Sequence, residues 1–165
     1  MDEKNKMLYK LEKVNLENFG EVEKLFDDKF FFQTSYPSIV PIQVLEFFLM
    51  KSVESYILRY GDKVIGLTYY KVVNDVKIQF KFMTIDSIDL EIKKNFFNIS
   101  IEFFKEKCEF LKRLETTVFE FSNKEIEFYN QIGLKKTFVR MNEILYNQKL
   151  YKTIKYMIDL PVCKG

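Results

Sequence analysis

The sequence predicts a single α/β domain of three layers, in which a mixed central sheet of about seven strands is flanked by helices. The chain has 165 residues, a length typical of one domain. Its residues are 47% hydrophobic and 30% charged, with only 5 glycines and 3 prolines, which is the composition of a chain with a packed core. Strand-like alternation and helix-like spacing follow one another in the order β-α-α-β-β-β-α-β-α-β-β.

The N-terminal third predicts one strand, two helices and an aromatic loop. Residues 8–14 form the first strand, and Asn15 offers an N-cap for a helix whose apolar residues recur between positions 16 and 26. A loop at 30–41 is rich in phenylalanine and contains two of the three prolines, Pro37 and Pro41. Pro41 suits the first turn of a second helix.

The next part of the chain predicts an antiparallel meander of three strands, at 53–60, 63–73 and 76–85. The strands are separated by the short polar junctions Gly61-Asp62 and Asn74-Asp75. A long helix at 95–114 follows, because its apolar residues recur at steps of three and four. This helix should cross to a strand at 115–121 that lies beside strand 76–85 and parallel to it. Parallel neighbours that splay apart at such a crossover leave a cleft near their C-terminal ends.

The last part of the chain predicts a short helix and two strands. Ser122 and Glu125 have the spacing of a capping box at the start of a helix at 123–132. Gly133 stands where a left-handed C-terminal cap belongs. Two final strands meet at Asn147-Gln148, and they span 135–146 and 149–160.

The absence of histidine limits the chemistry. It excludes Ser-His and Cys-His nucleophile systems, histidine-liganded metal sites and the usual general base near neutral pH, so we expect no metal. Cys108 and Cys163 form no Cys-x-x-Cys pair, which predicts reduced thiols in a cytoplasmic protein. Cys108 lies in a helical apolar pattern and is expected in the core.

Charge and hydropathy narrow the range of partners. Lys and Arg number 26 against 24 Asp and Glu, a net charge of +2, so no basic field is expected to recruit nucleic acid or an anionic membrane. The first 13 residues are densely charged, unlike a targeting signal. The longest uncharged run, 30–45, is too short and too polar to span a membrane.

The most specific motif is the segment from Phe119 to Lys136, which reads FEFSNKEIEFYNQIGLKK. With the predicted order of elements it resembles the GNAT superfamily of acyl-CoA-dependent N-acyltransferases, and within it the ribosomal-protein N-terminal acetyltransferase branch. That branch has an asparagine after a strand, then a tyrosine and a Gly-Phe pair, with an arginine and a tyrosine in the strands that follow. The matching positions are Asn123, Tyr129, Gly133, Leu134 in place of phenylalanine, Arg140, Asn147 and Tyr156, and the run 64–67 matches the family's third strand.

The resemblance implies acetyl-CoA as the acyl donor and assigns roles to two side chains. Tyr129 matches the tyrosine that protonates the departing CoA thiolate, although a tyrosine on the apolar face of this helix can equally be a core residue. Asn123 matches the residue that contacts the pantetheine arm, but an asparagine here can also simply cap the helix.

The resemblance also assigns a backbone role to the end of the central strand. The backbone of Met83, Thr84 and Ile85 corresponds to the family's oxyanion site, whose N–H groups stabilise the tetrahedral intermediate and whose carbonyls pair with pantetheine. This role does not depend on the identity of the side chains.

The chain departs from the family at the pyrophosphate loop, which should fall at 89–95. The family's loop is rich in glycine, because glycine lets backbone amides and a helix N-terminus close on a phosphate. Residues 89–95 contain no glycine. If coenzyme A binds, Lys93, Lys94 and Asn95 are the predicted contacts, the lysines acting as point charges.

The general base and the acceptor site are left open by the sequence. Asp86 and Glu120 are candidate bases, and each can equally be an ordinary solvated carboxylate. The aromatic loop at 30–36 lies where relatives shape the acceptor pocket, and it can instead anchor its own helices or form a partner interface. Lys152 stands where relatives often have an acid.

The sequence therefore predicts an N-acyltransferase that moves an acetyl group from acetyl-CoA to a primary amine of a peptide, protein or small molecule. Attack should be direct, since no credible nucleophile for a covalent acyl-enzyme is present. Two alternatives stay open: a non-catalytic GNAT-fold binding module, which the glycine-free 89–95 favours, and a GNAT that uses an acyl donor other than CoA. The resemblance also allows a homodimer.

Overall fold

A computed structural model describes residues 8–25, 50–146 and 148–161, with the side chains of 142–146 excepted. In this part of the chain, a seven-stranded mixed sheet has the order β1-β2-β3-β4-β5-β7-β6 and packs against three helices. The strands are β1 (Tyr9–Lys13), β2 (Glu54–Tyr60), β3 (Lys63–Asn74), β4 (Lys77–Thr84), β5 (Arg113–Phe119), β6 (Lys135–Tyr146) and β7 (Lys149–Asp159). The helices are α1 (Phe19–Leu25), α2 (Leu90–Lys107) and α3 (Asn123–Gln131).

The predicted fold class is confirmed, and so is the antiparallel meander. β2, β3 and β4 pair in sequence, each antiparallel to the next. The β2–β3 junction turns at Gly61, whose φ of 57° lies in the left-handed region that favours glycine. β4 and β5 pair in parallel through the crossover helix α2, as the sequence predicts.

The predicted start of the long helix is wrong. The structure begins α2 at Leu90, with Asp89 as its N-cap, and ends it at Lys107. Residues 90–95 are therefore the first turns of a helix and not a loop, because the Asp89 carboxylate satisfies amides that a loop would leave open. Leu114, which the helical spacing had included, lies fully buried in β5.

The capping of α3 is predicted correctly at one end only. At its C-terminal end Gly133 has a φ of 76°, and the Leu134 N–H donates to the Tyr129 carbonyl, as a left-handed cap requires. At its N-terminal end Ser122 is the cap residue, but its hydroxyl caps none of the described amides, so the predicted capping box is not formed. Asn123 is the first helical residue and not the cap.

Two cores lie on opposite faces of the sheet. The larger core packs α2 and α3 against the sheet through rings such as Phe82, Phe96, Phe104 and Phe128. Cys108 is half-buried and packs against this core, in agreement with the prediction. The smaller core packs α1 against the other face, through Val14, Phe19, Val22, Leu25, Ile57, Leu67 and Met83.

Three predictions fall on residues that the structure does not describe. The aromatic loop at 30–41, the second helix from Pro41 and Cys163 all lie outside the described residues. Within the described part, no helix is both long enough and apolar enough to cross a membrane.

Candidate active site

β4 and β5 run side by side only over a short stretch and then diverge. Their parallel pairing covers Lys77–Gln79 and Arg113–Glu115 and stops there. Beyond it, the edge of β4 from Phe80 to Thr84 and the edge of β5 from Thr116 to Phe119 face each other without a ladder. We call this opening the split. It is the cleft that the sequence predicts near the C-terminal ends of the two strands.

Of the three predicted backbone amides, those of Met83, Thr84 and Ile85, one is directed toward the split. The Ile85 N–H donates to the Ile65 carbonyl on β3 over 2.8 Å, and so it points away from the split. Because successive N–H groups of a strand point to opposite sides, the amide of Thr84 is directed toward the split, while that of Met83 faces β3. Of the three predicted backbone contacts, the structure therefore directs the amide of Thr84 toward β5.

A glycine on the neighbouring strand allows this close packing of β4. Gly66 on β3 pairs with Thr84, and a Cβ built at Gly66 would lie 2.1 Å from the Met83 carbonyl oxygen. Only a residue without a side chain fits there. Gly66 therefore fixes the position of the C-terminal end of β4, from which the Thr84 amide projects.

Tyr129 of α3 reaches the split from the side of the larger core. Its side chain is fully buried, and its hydroxyl donates to the Phe82 carbonyl oxygen on β4 over 3.4 Å. Burial, followed by the nearby Glu125 carboxylate, raises the pKa of Tyr129 well above its ordinary value. The hydroxyl therefore keeps its proton at neutral pH and can act as a donor to a group in the split.

Two charged side chains that the sequence analysis did not assign to the site also meet in the split. Lys81 of β4 donates from Nζ to the Thr117 carbonyl on β5 over 2.9 Å, and the same Nζ lies 3.6 Å from Oε1 of Glu125 on α3. Only 6% of the surface of each residue is exposed. The sequence contained a signal for the burial of Lys81, because a lysine between Phe80 and Phe82 on a central strand has little access to water.

The electrostatics of Glu125 are set by burial. Desolvation raises the pKa of its carboxyl, while the charges of Lys81 and Lys93 oppose that rise. Within the described part of the chain, its Oε2 atom has no hydrogen-bond partner. Glu125 is therefore a carboxyl group close to both Tyr129 and the split, with an oxygen available to accept a proton.

A cavity of about 180 Å³ adjoins the C-terminal end of β4, between the first turns of α2 and the outer face of α3. Lys93 lines this cavity and lies over the ring of Phe128, 4.4 Å from its centroid. Burial lowers the pKa of Lys93. Lys124 also lines the cavity, where it pairs with Asp86.

The structure does not bring the other predicted phosphate contacts to this cavity. Lys94 pairs with Glu91 on the same helix, 3.2 Å away. Asn95 points to the other side of α2 and donates to the Tyr9 hydroxyl on β1 over 3.0 Å. Asn123, which is predicted to contact the pantetheine arm and not the phosphates, is exposed at the start of α3.

The N-terminus of α2 already holds an anion from the chain itself. The Asp89 carboxylate accepts hydrogen bonds from the amides of Glu91 and Ile92, at 2.8 and 3.4 Å. These are the amides that a helix N-terminus offers to a phosphate. A phosphate at this position would have to displace the carboxylate or share the amides with it.

Both candidate bases from the sequence are paired with lysines. Asp86 pairs with Lys124, as described above. Glu120, at the end of β5, accepts from the Lys152 backbone amide, and that bond lowers its pKa. Lys152, which stands where relatives often have an acid, thus pairs with Glu120 at 3.4 Å. A lowered pKa makes Glu120 a poor proton acceptor, whereas burial raises the pKa of Glu125, which makes Glu125 the stronger candidate of the two.

A mixed sheet with a crossover helix between parallel strands that then split is the fold of the GNAT acetyltransferases. Among solved structures, the Salmonella typhimurium acetyltransferase that modifies the N-terminal serine of ribosomal protein L7/L12 superposes with a TM-score of 0.78 at 5% identity, over 93% of this chain and 96% of that one. RimL in complex with coenzyme A gives 0.74 at 6% identity, over 93% and 94%. The spermidine N-acetyltransferase SpeG of Vibrio cholerae gives 0.74 at 11% identity, over 92% and 94%. No protein-family model and no curated protein sequence matches the chain, so the likeness is one of fold.

Proposed function

We propose that this chain is an N-acyltransferase that moves an acetyl group from acetyl-CoA to a primary amine of a peptide, protein or small molecule. The observation that carries the proposal is the buried Tyr129 hydroxyl, which points into the split at the Phe82 carbonyl. Solved structures of the same fold support it, since one contains coenzyme A and others are named for acetylating a ribosomal protein or spermidine.

The residues at the split suit direct attack. The amine nitrogen bonds to the thioester carbonyl carbon, and the Thr84 amide is the donor for the negative charge that develops on oxygen. As the carbon–sulfur bond breaks, Tyr129 gives its proton to the sulfur and regains one from the nitrogen that becomes the amide. The incoming ammonium first loses a proton, and the candidate acceptor is the Glu125 carboxyl, which lies 3.6 Å from Nζ of Lys81 and interacts electrostatically with Tyr129.

Cys108, the cysteine that the structure describes, is a poor candidate for the nucleophile of a covalent acyl-enzyme. Burial raises the pKa of the Cys108 thiol, which therefore stays protonated near neutral pH. A thiol is a much weaker nucleophile than a thiolate. This observation supports a ternary complex of donor, acceptor and protein.

The residues fit the thioester end of acetyl-CoA better than its diphosphate. The Thr84 amide and the Tyr129 hydroxyl suit the thioester, whereas Asp89 occupies the amides at the start of α2. The cations beside the cavity, Lys93 and Lys124, are the side chains that would hold the diphosphate. The bound donor supplies the activated acetyl group, and the protein supplies its orientation and the protons.

A second candidate is a non-catalytic GNAT-fold binding module. Two observations favour it: Lys81 bridges the split, and Asp89 occupies the helix N-terminus where a phosphate would bind. In both places the chain's own side chains lie where a donor would bind. A GNAT with a different acyl carrier would share these features, since it needs no diphosphate site.

Calorimetric titration with acetyl-CoA and with coenzyme A separates these candidates. If the protein has a donor site, acetyl-CoA should also raise its melting temperature, because a ligand at 100 times its dissociation constant adds about 2.7 kcal/mol of stability. Binding together with amine-dependent thiol release supports the N-acetyltransferase. Binding without transfer points to the module, and no binding at millimolar concentration points to the module or to another carrier.

The assembly and the location of the protein stay predictions. A homodimer is compatible with the proposal, and a spermidine N-acetyltransferase of the same fold from Vibrio cholerae is a dodecamer. A cytoplasmic location rests on the cysteine content of the sequence and on the use of acetyl-CoA.

A further inference from the structure

A groove crosses the sheet on the face opposite α2 and α3, next to the split. Two cavities of about 330 and 80 Å³ share Gln79, Thr117 and Lys155, and so they form one continuous groove. Its charged lining residues are Lys71, Lys81, Glu115, Arg140 and Lys155. We call it the basic groove.

The strand register places these charges in rows across the sheet. In one row Lys71 on β3 pairs with Gln79 on β4, which pairs with Glu115 on β5. In the next row Lys81 faces the split from β4, and Lys155 on β7 pairs with Thr117 on β5. Side chains at paired positions lie on the same face of a sheet, so the lysines flank the groove on both sides.

The single carboxylate among the described lining residues is already neutralised. Glu115 is buried, and its Oε2 lies 3.2 Å from Nζ of Lys155 and 3.7 Å from Nζ of Lys77. Two lysines therefore share one carboxylate, which leaves a positive charge even before Lys71 is counted. A groove of this kind attracts anionic groups and repels a polycation.

The length of the basic groove indicates the size of the ligand. Lys71 on β3 and Arg140 on β6 are separated by four strand spacings, or about 19 Å at about 4.8 Å each. An extended chain of about six residues spans that distance at about 3.3 Å per residue. The groove therefore has the length of a short peptide segment.

The groove also leads to the proposed chemistry. Lys81 and Thr117 line it, and the same two residues bridge the split. From Lys81 the chain of β4 runs directly to Phe82, whose carbonyl binds the Tyr129 hydroxyl. A peptide in the basic groove can thus place its amine at the split while its other residues contact the lysines.

We infer that the acceptor is a peptide amine followed by acidic side chains, held in an extended conformation along the basic groove. This inference rests on the proposed function, because it names the acceptor of the same site. Acidic side chains find Lys71 and Lys155 within the groove, whereas a polyamine such as spermidine meets like charge there.

The test compares three ligands by calorimetry on the full chain: a synthetic hexapeptide with a free N-terminal serine and acidic residues after it, its counterpart with the acids replaced by amides, and spermidine. At low salt the acidic peptide should bind at least about tenfold more tightly than the amide peptide. The difference should shrink at about 1 M salt, where the Debye length is only about 3 Å.

A matched pair of variants places the binding in the groove. Lys71→Glu should remove most of the preference for the acidic peptide. Lys63→Glu makes the same change of charge at the other end of β3, about 26 Å away, and should leave the preference intact. Equal binding of the two peptides, tighter binding of spermidine, or equal effects of the two variants would overturn the inference.

Acetyl transfer is measured in a separate assay, so that a failure of the proposed acyltransferase function can be distinguished from a failure of the proposed acceptor class. Acetylation of the acidic peptide in preference to the other ligands supports both. Selective binding of the acidic peptide without transfer, in the presence of bound acetyl-CoA, supports the ligand class of the groove and rejects the proposed catalysis. Transfer to spermidine but not to the acidic peptide rejects the inference and leaves the acyltransferase standing.

Discussion

Lys81 of β4 and Glu125 of α3 form a buried ion pair inside the split, with 3.6 Å between Nζ and Oε1. The same ammonium donates to the Thr117 carbonyl of β5, beyond the last ladder pair of Gln79 and Glu115. One side chain therefore joins the two strands at the point where their backbones part. Because both charges are desolvated, removing either partner leaves the other as an unpaired buried charge, which destabilises the folded state.

Lys81→Met should make stability more dependent on pH. Methionine keeps the length of the side chain without its charge, so burial raises the pKa of Glu125 further. In the unfolded chain this carboxyl titrates near 4.5, and in the folded chain it titrates higher. Between those values the folded state binds more protons, so the free energy of unfolding falls as pH rises through the window. Urea unfolding from pH 4.5 to 8 measures the slope.

The double variant Lys81→Met with Glu125→Leu is the control for this prediction. It removes both charges, and an apolar replacement of a buried ion pair is often neutral or stabilising. We expect it to lose the pH dependence of the single variant. If the single and double variants show the same profile, Glu125 does not titrate in the way its burial indicates.

Tyr129→Phe should lower kcat about 100-fold if this hydroxyl is the proton donor to the thiolate. The binding of coenzyme A should change little, because the proton is needed only as the sulfur leaves. The fold should persist, since the variant keeps the ring and loses one hydrogen bond of 3.4 Å, worth about 1 kcal/mol. Turnover of a validated acceptor measures the effect.

Tyr156→Phe is the matched control. The rings of Tyr129 and Tyr156 lie 5.5 Å apart, and the hydroxyl of Tyr156 donates to the Asn130 side chain and not to β4. Both variants lose a hydroxyl from the same part of the core, but only one hydroxyl points into the split. Equal losses of kcat in the two variants would assign Tyr129 to packing alone.

The parts of the fold that the sequence predicted well are those set by local rules. Gly61 and Gly133 mark their turns because each has a positive φ, and the alternation in β4 reports a strand with one face in the core. The start of α2 was misplaced because Asp89 caps the helix before the apolar spacing becomes regular. At this position the N-cap residue, and not the periodicity of apolar residues, determines where the helix begins.

The site was harder to predict, because it depends on contacts between distant elements. Tyr129 was predicted as a site residue through its motif, but its contact with Phe82 joins residues 47 positions apart. In the sequence, Lys81 is explained locally as part of the polar face of a strand, and Glu125 as part of a capping box. Their pairing follows from the angle at which α3 packs over the split, which no local pattern encodes.

Lys93→Ala and Lys94→Ala should differ in their effect on the binding of coenzyme A. Lys93 lines the cavity between α2 and α3, so its loss should weaken binding by about 1–3 kcal/mol, the range for charge-assisted hydrogen bonds. Lys94 pairs with Glu91, and its loss should cost much less. Calorimetry on the two single variants compares them, and equal effects would move the diphosphate out of this cavity.

Gly66→Ala should destabilise the protein by at least about 1–3 kcal/mol, the range for overpacking. The new Cβ would lie 2.1 Å from the Met83 carbonyl, so the end of β4 must shift. Gly20→Ala in α1 is the control, because a Cβ there meets nothing within 4 Å. That variant should gain about 0.5–1 kcal/mol from helix propensity. Urea unfolding of both proteins measures the difference, and a stable Gly66→Ala would contradict the packing at Thr84.

Asp89→Asn tests whether the start of α2 takes part in binding the donor. Asparagine is as good an N-cap as aspartate, so the helix should keep its first turn and lose only a few tenths of a kcal/mol through its dipole. The variant removes the carboxylate that now accepts from the amides of Glu91 and Ile92. If the diphosphate of coenzyme A approaches these amides, the loss of one repulsive charge should raise its affinity about fivefold, or about 1 kcal/mol.

The control for Asp89→Asn is Asp62→Asn, which makes the same change of charge in the exposed β2–β3 turn. Calorimetry with coenzyme A at low and high salt should show a gain for Asp89→Asn alone, and salt should reduce it, because the removed repulsion is electrostatic. An equal gain in both variants would reflect net charge and not the helix. If coenzyme A binds and neither variant gains, the diphosphate lies away from the amides of Glu91 and Ile92 at the start of α2, and side chains such as Lys93 and Lys124 must then hold the phosphates.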